Sequence, residues 1–149
     1  IAASPRTRRL LDDERVRDVD PSTIAFRAVV EIPLGTTASE ELVFRGALLG
    51  IARRRMSTLA AVAATSTTFG LWHVLPSLAD KDQNPMTDQQ PAAAVVAATV
   101  LFTTAAGAMF AYERLVTGSV LSPILTHTAT NVGTLVAAHL VGRRAATDR

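Results

Sequence analysis

The chain contains no cysteine, which excludes a disulfide framework, a thiolate nucleophile and a cysteine-ligated metal, and leaves the redox compartment open. It has no internal repeat and no low-complexity tract beyond an enrichment in alanine, so repeat architectures are excluded as well. A large charge imbalance is also absent. The net charge is +2, and the sequence pI near 9.9 comes mainly from arginines flanking apolar segments, so nucleic-acid binding is not implied. The most informative absence is charge within three long stretches. There are 24 residues without a formal charge between Arg55 and Asp80, 24 between Asp88 and Glu113, and 28 between Arg114 and Arg143. Each exceeds the roughly 20 residues needed to cross the hydrocarbon core of a bilayer.

A mean hydropathy of +0.25 understates this segregation. A soluble all-α protein could bury one such helix completely, but three in 149 residues argue for a membrane. A fourth apolar segment, residues 24–51, is interrupted by Glu31, Glu40, Glu41 and Arg45. The fold expected is therefore an all-α, polytopic transmembrane bundle of about four spanning helices, preceded by an N-terminal surface helix, in a multi-pass protein of the cell membrane.

Residues 1–22 alternate arginines with acids and end in Asp20-Pro21-Ser22, which reads as a charged surface segment leading into a core of residues 23–142. Pro33 and Gly35 predict a kink or restart of the first helix just before its acids. The second span is predicted over residues 57–78, ending near Pro76, and the stretch 80–91 (DKDQNPMTDQQP) over a polar loop. The third span is predicted over residues 92–116, broken at Thr117-Gly118. Ser122-Pro123 reads as an N-cap with proline at the first helical position, so the last span is predicted from Pro123 to about Val141, with 143–149 as a tail.

Ionisable groups on such helices normally face a protein interior or a water-filled cavity, because lipid solvates them poorly. Glu41 and Arg45, four residues apart, are predicted to pair on one helical face, while Glu40 points about 100° away. One acid is thus neutralised and one is left for chemistry, although a salt-bridged structural knot or a helix end at the interface would show the same sequence. His73 shares a face with Phe69 on the second span; alone, a histidine there is more often a satisfied core group. His127 and Asn131 share a face of the last span, where an imidazole can hold a water or a metal and an amide can donate to an oxyanion. His139, near the end of that span, reads as interfacial and carries no assigned role.

EELVFR at 40–45, FGLWH at 69–73 and HTATN at 127–131 resemble, in this order, the EExxxR, FxxxH and HxxxN motifs of the CPBP family of intramembrane proteases. That family is related to the Ras-converting CAAX endopeptidase and to bacteriocin self-immunity proteins. The resemblance covers roughly residues 24–141. It implies an intramembrane endopeptidase in which Glu40 is the general base that activates a water and Glu41 and Arg45 form a supporting pair. His73 and His127 would position the water and stabilise charge, with Asn131 helping to form the oxyanion hole. The same resemblance admits a divalent metal such as zinc on Glu40, His73 and His127, with a metal-independent glutamate mechanism favoured. The implied partners are a membrane protein or lipidated peptide as substrate and the lipid bilayer, with no nucleic acid. The chain begins with Ile1 and lacks the upstream helices usual in that family, so a fragment of a longer protein is expected.

HExxH, GxSxG and a Gly-Asp pair are all missing, which disfavours the site-2, rhomboid and presenilin-like protease classes. Two other functions compete: a non-catalytic membrane binding or immunity module, which would tolerate loss of Glu40, and an ion or proton relay, which would transport in liposomes.

Overall fold

The computed structural model describes residues 16, 19–83 and 87–147, and among them there is no strand. Most of the charged segment 1–22, with its expected surface helix, lies outside the described residues. The first helical run comprises α1 (Pro21–Phe26), a wide π-helical stretch (Arg27–Ala38), α2 (Ser39–Glu41), a second π-helical stretch (Leu42–Leu48) and α3 (Leu49–Ala52). Asp20 caps it, its carboxylate accepting from the Ser22 backbone N–H at 3.0 Å. The helix does not restart at Pro33 and Gly35. The run continues through Pro33 with its turns widened, and the Thr37 hydroxyl donates to the Ile32 and Pro33 carbonyls, both at 3.2 Å. Widening is how a helix absorbs a ring that a tight α-turn would reject.

Helix α4 (Thr58–Trp72) starts on Ser57, whose hydroxyl accepts from Ala60 N–H at 3.3 Å. It does not end at Pro76. His73 leaves the helical conformation (φ −85°, ψ 1°), and α5 (Val74–Asp80) resumes with Pro76 in its first turn. The proline ring conflicts with the carbonyl four residues back, so the break falls upstream of the proline, at the histidine. A 3₁₀ turn (Lys81–Gln83) follows, then the polar loop, then α6 (Ala92–Thr117). Gly118 terminates α6 with φ +69° and its N–H on the Arg114 carbonyl at 3.1 Å, a left-handed cap that glycine adopts without strain. The last helix, α7 (Leu121–Thr147), begins before Ser122, so Ser122 is not its cap. Ser119 takes that place, accepting from Leu121 N–H at 3.1 Å, while the Ser122 hydroxyl turns to Glu113.

Among the described residues, two helical segments, Thr58–Gln83 and Ala92–Thr117, are long and apolar enough to cross a membrane. The first run carries five charges and α7 is rich in hydroxyls and histidine, which keeps both below that threshold. Only 28% and 17% of the most apolar windows of the two candidate spans are buried inside the protein. Core helices of a soluble protein would be mostly buried. Here Leu59, Leu71, Leu75, Leu101, Phe102 and Val116 all point outward, as helices solvated by lipid tails do.

Helices α4 and α6 pack most extensively, and their contacts run in opposite directions. Gly70 meets Val100 and Thr104, Ser66 and Phe69 meet Gly107, and Ala61 clusters with Ala111 and Leu49. The pair is therefore antiparallel, with small residues at the crossing, the usual solution where lipid offers no hydrophobic drive between helices. The first run lies against α7, tied by the Thr37 and Thr128 hydroxyls at 2.6 Å. His139, expected near the interface, is buried against the protein, and its Nδ1 lies 2.9 Å from the Val16 carbonyl, beside the cluster of Val16, Ile24 and Ala138.

A Cβ on Gly70 would stand 2.0 Å from Thr104 Oγ1 and 2.8 Å from the Val100 carbonyl. Thr104 can rotate, but the carbonyl cannot move without separating the helices. Gly70→Ala is expected to cost about 1–3 kcal/mol, read as a lowered Tm in detergent that Thr104→Ala does not restore.

Candidate active site

Glu41 is fully buried on the narrow face between the first run and α7. Its Oε1 accepts from Arg45 Nη1 at 3.0 Å, one turn along, and lies 2.9 Å from His127 Nδ1 on α7. Facing a carboxylate oxygen, the ring nitrogen that completes the contact is a donor, so Nδ1 of His127 carries the proton. That leaves Nε2 of His127 as the nitrogen turned away from Glu41. Glu40 Oε2 lies 4.0 Å from it.

Arg45 is almost completely buried as well. Its guanidinium carbon sits 4.1 Å from the centre of the Phe69 ring and 5.2 Å from that of Phe110, so aromatic faces replace the water that an exposed arginine would keep. The same rings shape the histidines. His127 stacks on Phe110 with 4.8 Å between centres, and His73 packs edge-on to Phe69 at 4.7 Å.

The break at His73 has a chemical consequence. In an unbroken α-helix the His73 backbone N–H would bond the Phe69 carbonyl, but here it bonds Gly70, at 3.1 Å. His73 Nδ1 takes over the vacated carbonyl at 2.8 Å. A carbonyl only accepts, so Nδ1 again bears the proton and Nε2 of the neutral ring is an acceptor. Both histidines thus have their Nδ1 tied back to the scaffold.

These groups meet in a cavity of about 760 Å³. Its polar side is formed by Thr36, Glu40, His73, His127, Thr130 and Asn131, and its other side by Phe69, Phe102, Met109 and Phe110. Of the six residues predicted from sequence, Glu40, His73, His127 and Asn131 line the cavity, and Glu41 and Arg45 sit behind it. Among the described residues no three His, Asp or Glu side chains are grouped closely enough to hold a metal ion. Glu40, His73 and His127 share the cavity without forming a three-ligand seat.

Three contributors were not picked out by sequence reasoning. Phe110 stacks on His127, Gly107 admits the Arg45 guanidinium, and Asp80 reaches the cavity wall. Phe69 had a signal, its spacing of four from His73; Phe110, Gly107 and Asp80 had none. A Cβ on Gly107 would stand 3.0 Å from Arg45 Nη2 and 3.1 Å from Phe69.

The chain matches the family model described as Rce1-like, type II CAAX prenyl endopeptidase, over residues 22–133. No curated protein and no solved structure matches it.

Removing one member of a buried ion pair leaves the other without a partner, at a cost of about 3–5 kcal/mol. Arg45→Ala is expected to destabilise by that amount, whereas Arg45→Ala combined with Glu41→Leu recovers most of it; thermal unfolding of the three proteins in detergent measures this.

Proposed function

Because the chain belongs to the Rce1-like family of type II CAAX prenyl endopeptidases, which are embedded in membranes, we propose that it is a multi-pass intramembrane endopeptidase of the cell membrane that hydrolyses peptide bonds through a water activated by Glu40. The observation that carries this reading is the unpaired Glu40 Oε2, buried and without a hydrogen-bond partner, opposite His127 Nε2 across 4.0 Å. That separation is too wide for a direct hydrogen bond and suits a bridging water, about 2.8 Å from each atom on the cavity side.

Held this way, the water donates one hydrogen to Glu40 and the other to Nε2 of His127, and its lone pair points into the cavity. As the oxygen attacks the peptide carbonyl, Glu40 takes the proton, the C–O bond forms and the carbonyl π pair moves onto its oxygen. The Asn131 amide is a donor to that oxyanion. When the intermediate collapses the C–N bond breaks, and the proton on Glu40 passes to the leaving amine. Glu41 touches no reacting atom. It fixes the tautomer and the direction of His127, and Arg45 holds Glu41 in place. His73, with Nδ1 occupied by the Phe69 carbonyl, presents Nε2 to the water or to the peptide N–H. The residues form no three-ligand metal seat, and every step above runs on the chain's own groups.

The substrate class follows from the cavity rim. Phe102 and Met109 line the cavity and are also exposed on the outer face of α6, at 71% and 46%. An opening edged by outward-facing apolar side chains admits a chain arriving from the lipid, a membrane protein segment or a lipidated peptide.

In liposomes with quenched-fluorescent lipidated peptides, Glu40→Gln is expected to lower kcat/KM by about 10²–10⁴ while leaving Tm unchanged. His127→Ala is likewise expected to be silent, and a chelator to have no effect. Wild-type turnover by Glu40→Gln would overturn the reading, and loss of activity with chelator would overturn the metal-free mechanism.

A further inference from the structure

Hydrolysis consumes one water per turnover, yet the rim that admits a lipidated chain is apolar and faces the acyl chains. A second cavity, of about 240 Å³, adjoins the first. Six polar residues, His73, Ser77, Asp80, Lys81, Thr87 and Thr99, line it together with Pro76 and Val95, and two of these, His73 and Asp80, line the catalytic cavity too. The smaller cavity lies under the polar turn that follows α5, where the Asp82 side chain is 83% exposed. Lys81 Nζ holds that turn by donating to Asp82 Oδ1 at 2.9 Å and to the Asp88 carbonyl at 2.5 Å.

The Ser77 hydroxyl is arranged to accept from water. Its Oγ donates to the Val74 carbonyl at 2.8 Å, so it spends its single hydrogen on the backbone and keeps its oxygen lone pairs for an incoming donor. A cavity of this volume, with several polar partners, holds a short file of waters.

From this geometry we infer that the smaller cavity is the water inlet of the catalytic site, running from Lys81 and Thr87 past Ser77, Thr99 and Asp80 to His73. The inference rests on the peptidase reading for what the water does, and on the two adjoining cavities for where it travels. Substrate and water then enter by different doors: the chain from the lipid past Phe102 and Met109, the water from the aqueous face. The break at His73 serves both, since the residue that turns the helix also stands at the junction. Filling the inlet slows the supply of nucleophile without touching the surface that binds substrate.

The absence of cysteine makes the inlet directly testable, because an introduced thiol is the only one in the protein. Thiols react with charged thiosulfonates only where water reaches them. In sealed vesicles, Thr99→Cys is expected to be modified by a charged, membrane-impermeant methanethiosulfonate added to the face that carries Lys81 and Thr87. Leu101→Cys, on the exposed apolar face of α6, is expected to resist. Modification at position 99 is expected to lower kcat at least about tenfold with KM little changed, as does Thr99→Leu, whereas Thr99→Ser turns over normally. An inert thiol at position 99, or a modified one with undiminished kcat, overturns the inlet. A protein that hydrolyses nothing sinks the peptidase reading instead, and the path is then decided by His73→Cys. Its modification is lost on adding Thr99→Leu if the small cavity is the route, and persists if it is not.

Discussion

Oε1 of Glu41 accepts from Arg45 and from His127 at a point with no exposure to solvent, and the site is organised around that oxygen. A carboxylate in this position is costly to desolvate, and a guanidinium is equally so; a pair of this kind adds little net stability over well-packed apolar residues. What it supplies is direction. Because both neighbours point at one oxygen, α7 is held against the first helical run, and the ring of His127 can turn only one nitrogen toward the cavity. Glu40, the next residue, is rotated about 100° along the helix and so faces the space that Glu41 does not.

The surroundings of that oxygen are built from small and aromatic residues because nothing else would fit. Gly107 leaves room for the guanidinium, and the rings of Phe69 and Phe110 lie against it where water would otherwise be needed. Gly70 brings α4 close to α6, so that Phe69 and His73 on one helix reach the same chamber as Phe110 and Met109 on the other. The interhelical contact and the chemistry therefore share their constraints. A change that spreads α4 from α6 displaces a ring that seats Arg45, and Arg45 in turn holds Glu41. The break at His73 belongs to the same economy of parts: Pro76 forces the helix open, and the carbonyl left over is taken by the imidazole.

Much of the fold was legible as charge-free runs. The long stretch before Glu113 became α6 within a residue of its predicted ends, because an uninterrupted apolar run closed by Gly118 admits one outcome. Where the sequence was misread, two local rules competed. Pro33 predicted a kink or restart of the helix, and the restart is absent because widened turns and a threonine hydroxyl accommodate the ring. Ser122-Pro123 had the pattern of a helix start, but Ser119 lay closer to the free N–H groups left by the Gly118 turn. His139 near a helix end suggested the interface, and only its contact with Val16, far away in sequence, explains its burial. Among the described residues, two rather than four helical segments pass as spans on length and composition, since polar residues needed for the site dilute the first run and α7.

The sequence by itself determined which residues bear the chemistry. Acid, guanidinium, imidazole and amide on apolar helices have few explanations, and spacings of four put Glu41 with Arg45 and His127 with Asn131 on common faces. Periodicity, however, describes one helix at a time. Which nitrogen of each histidine is tied back, that Glu40 stands opposite His127, and that a smaller cavity adjoins the catalytic one all depend on how separate helices cross. Those crossings are set by Gly70, Gly107 and the rings around Arg45, contacts between residues tens of positions apart that no local pattern encodes.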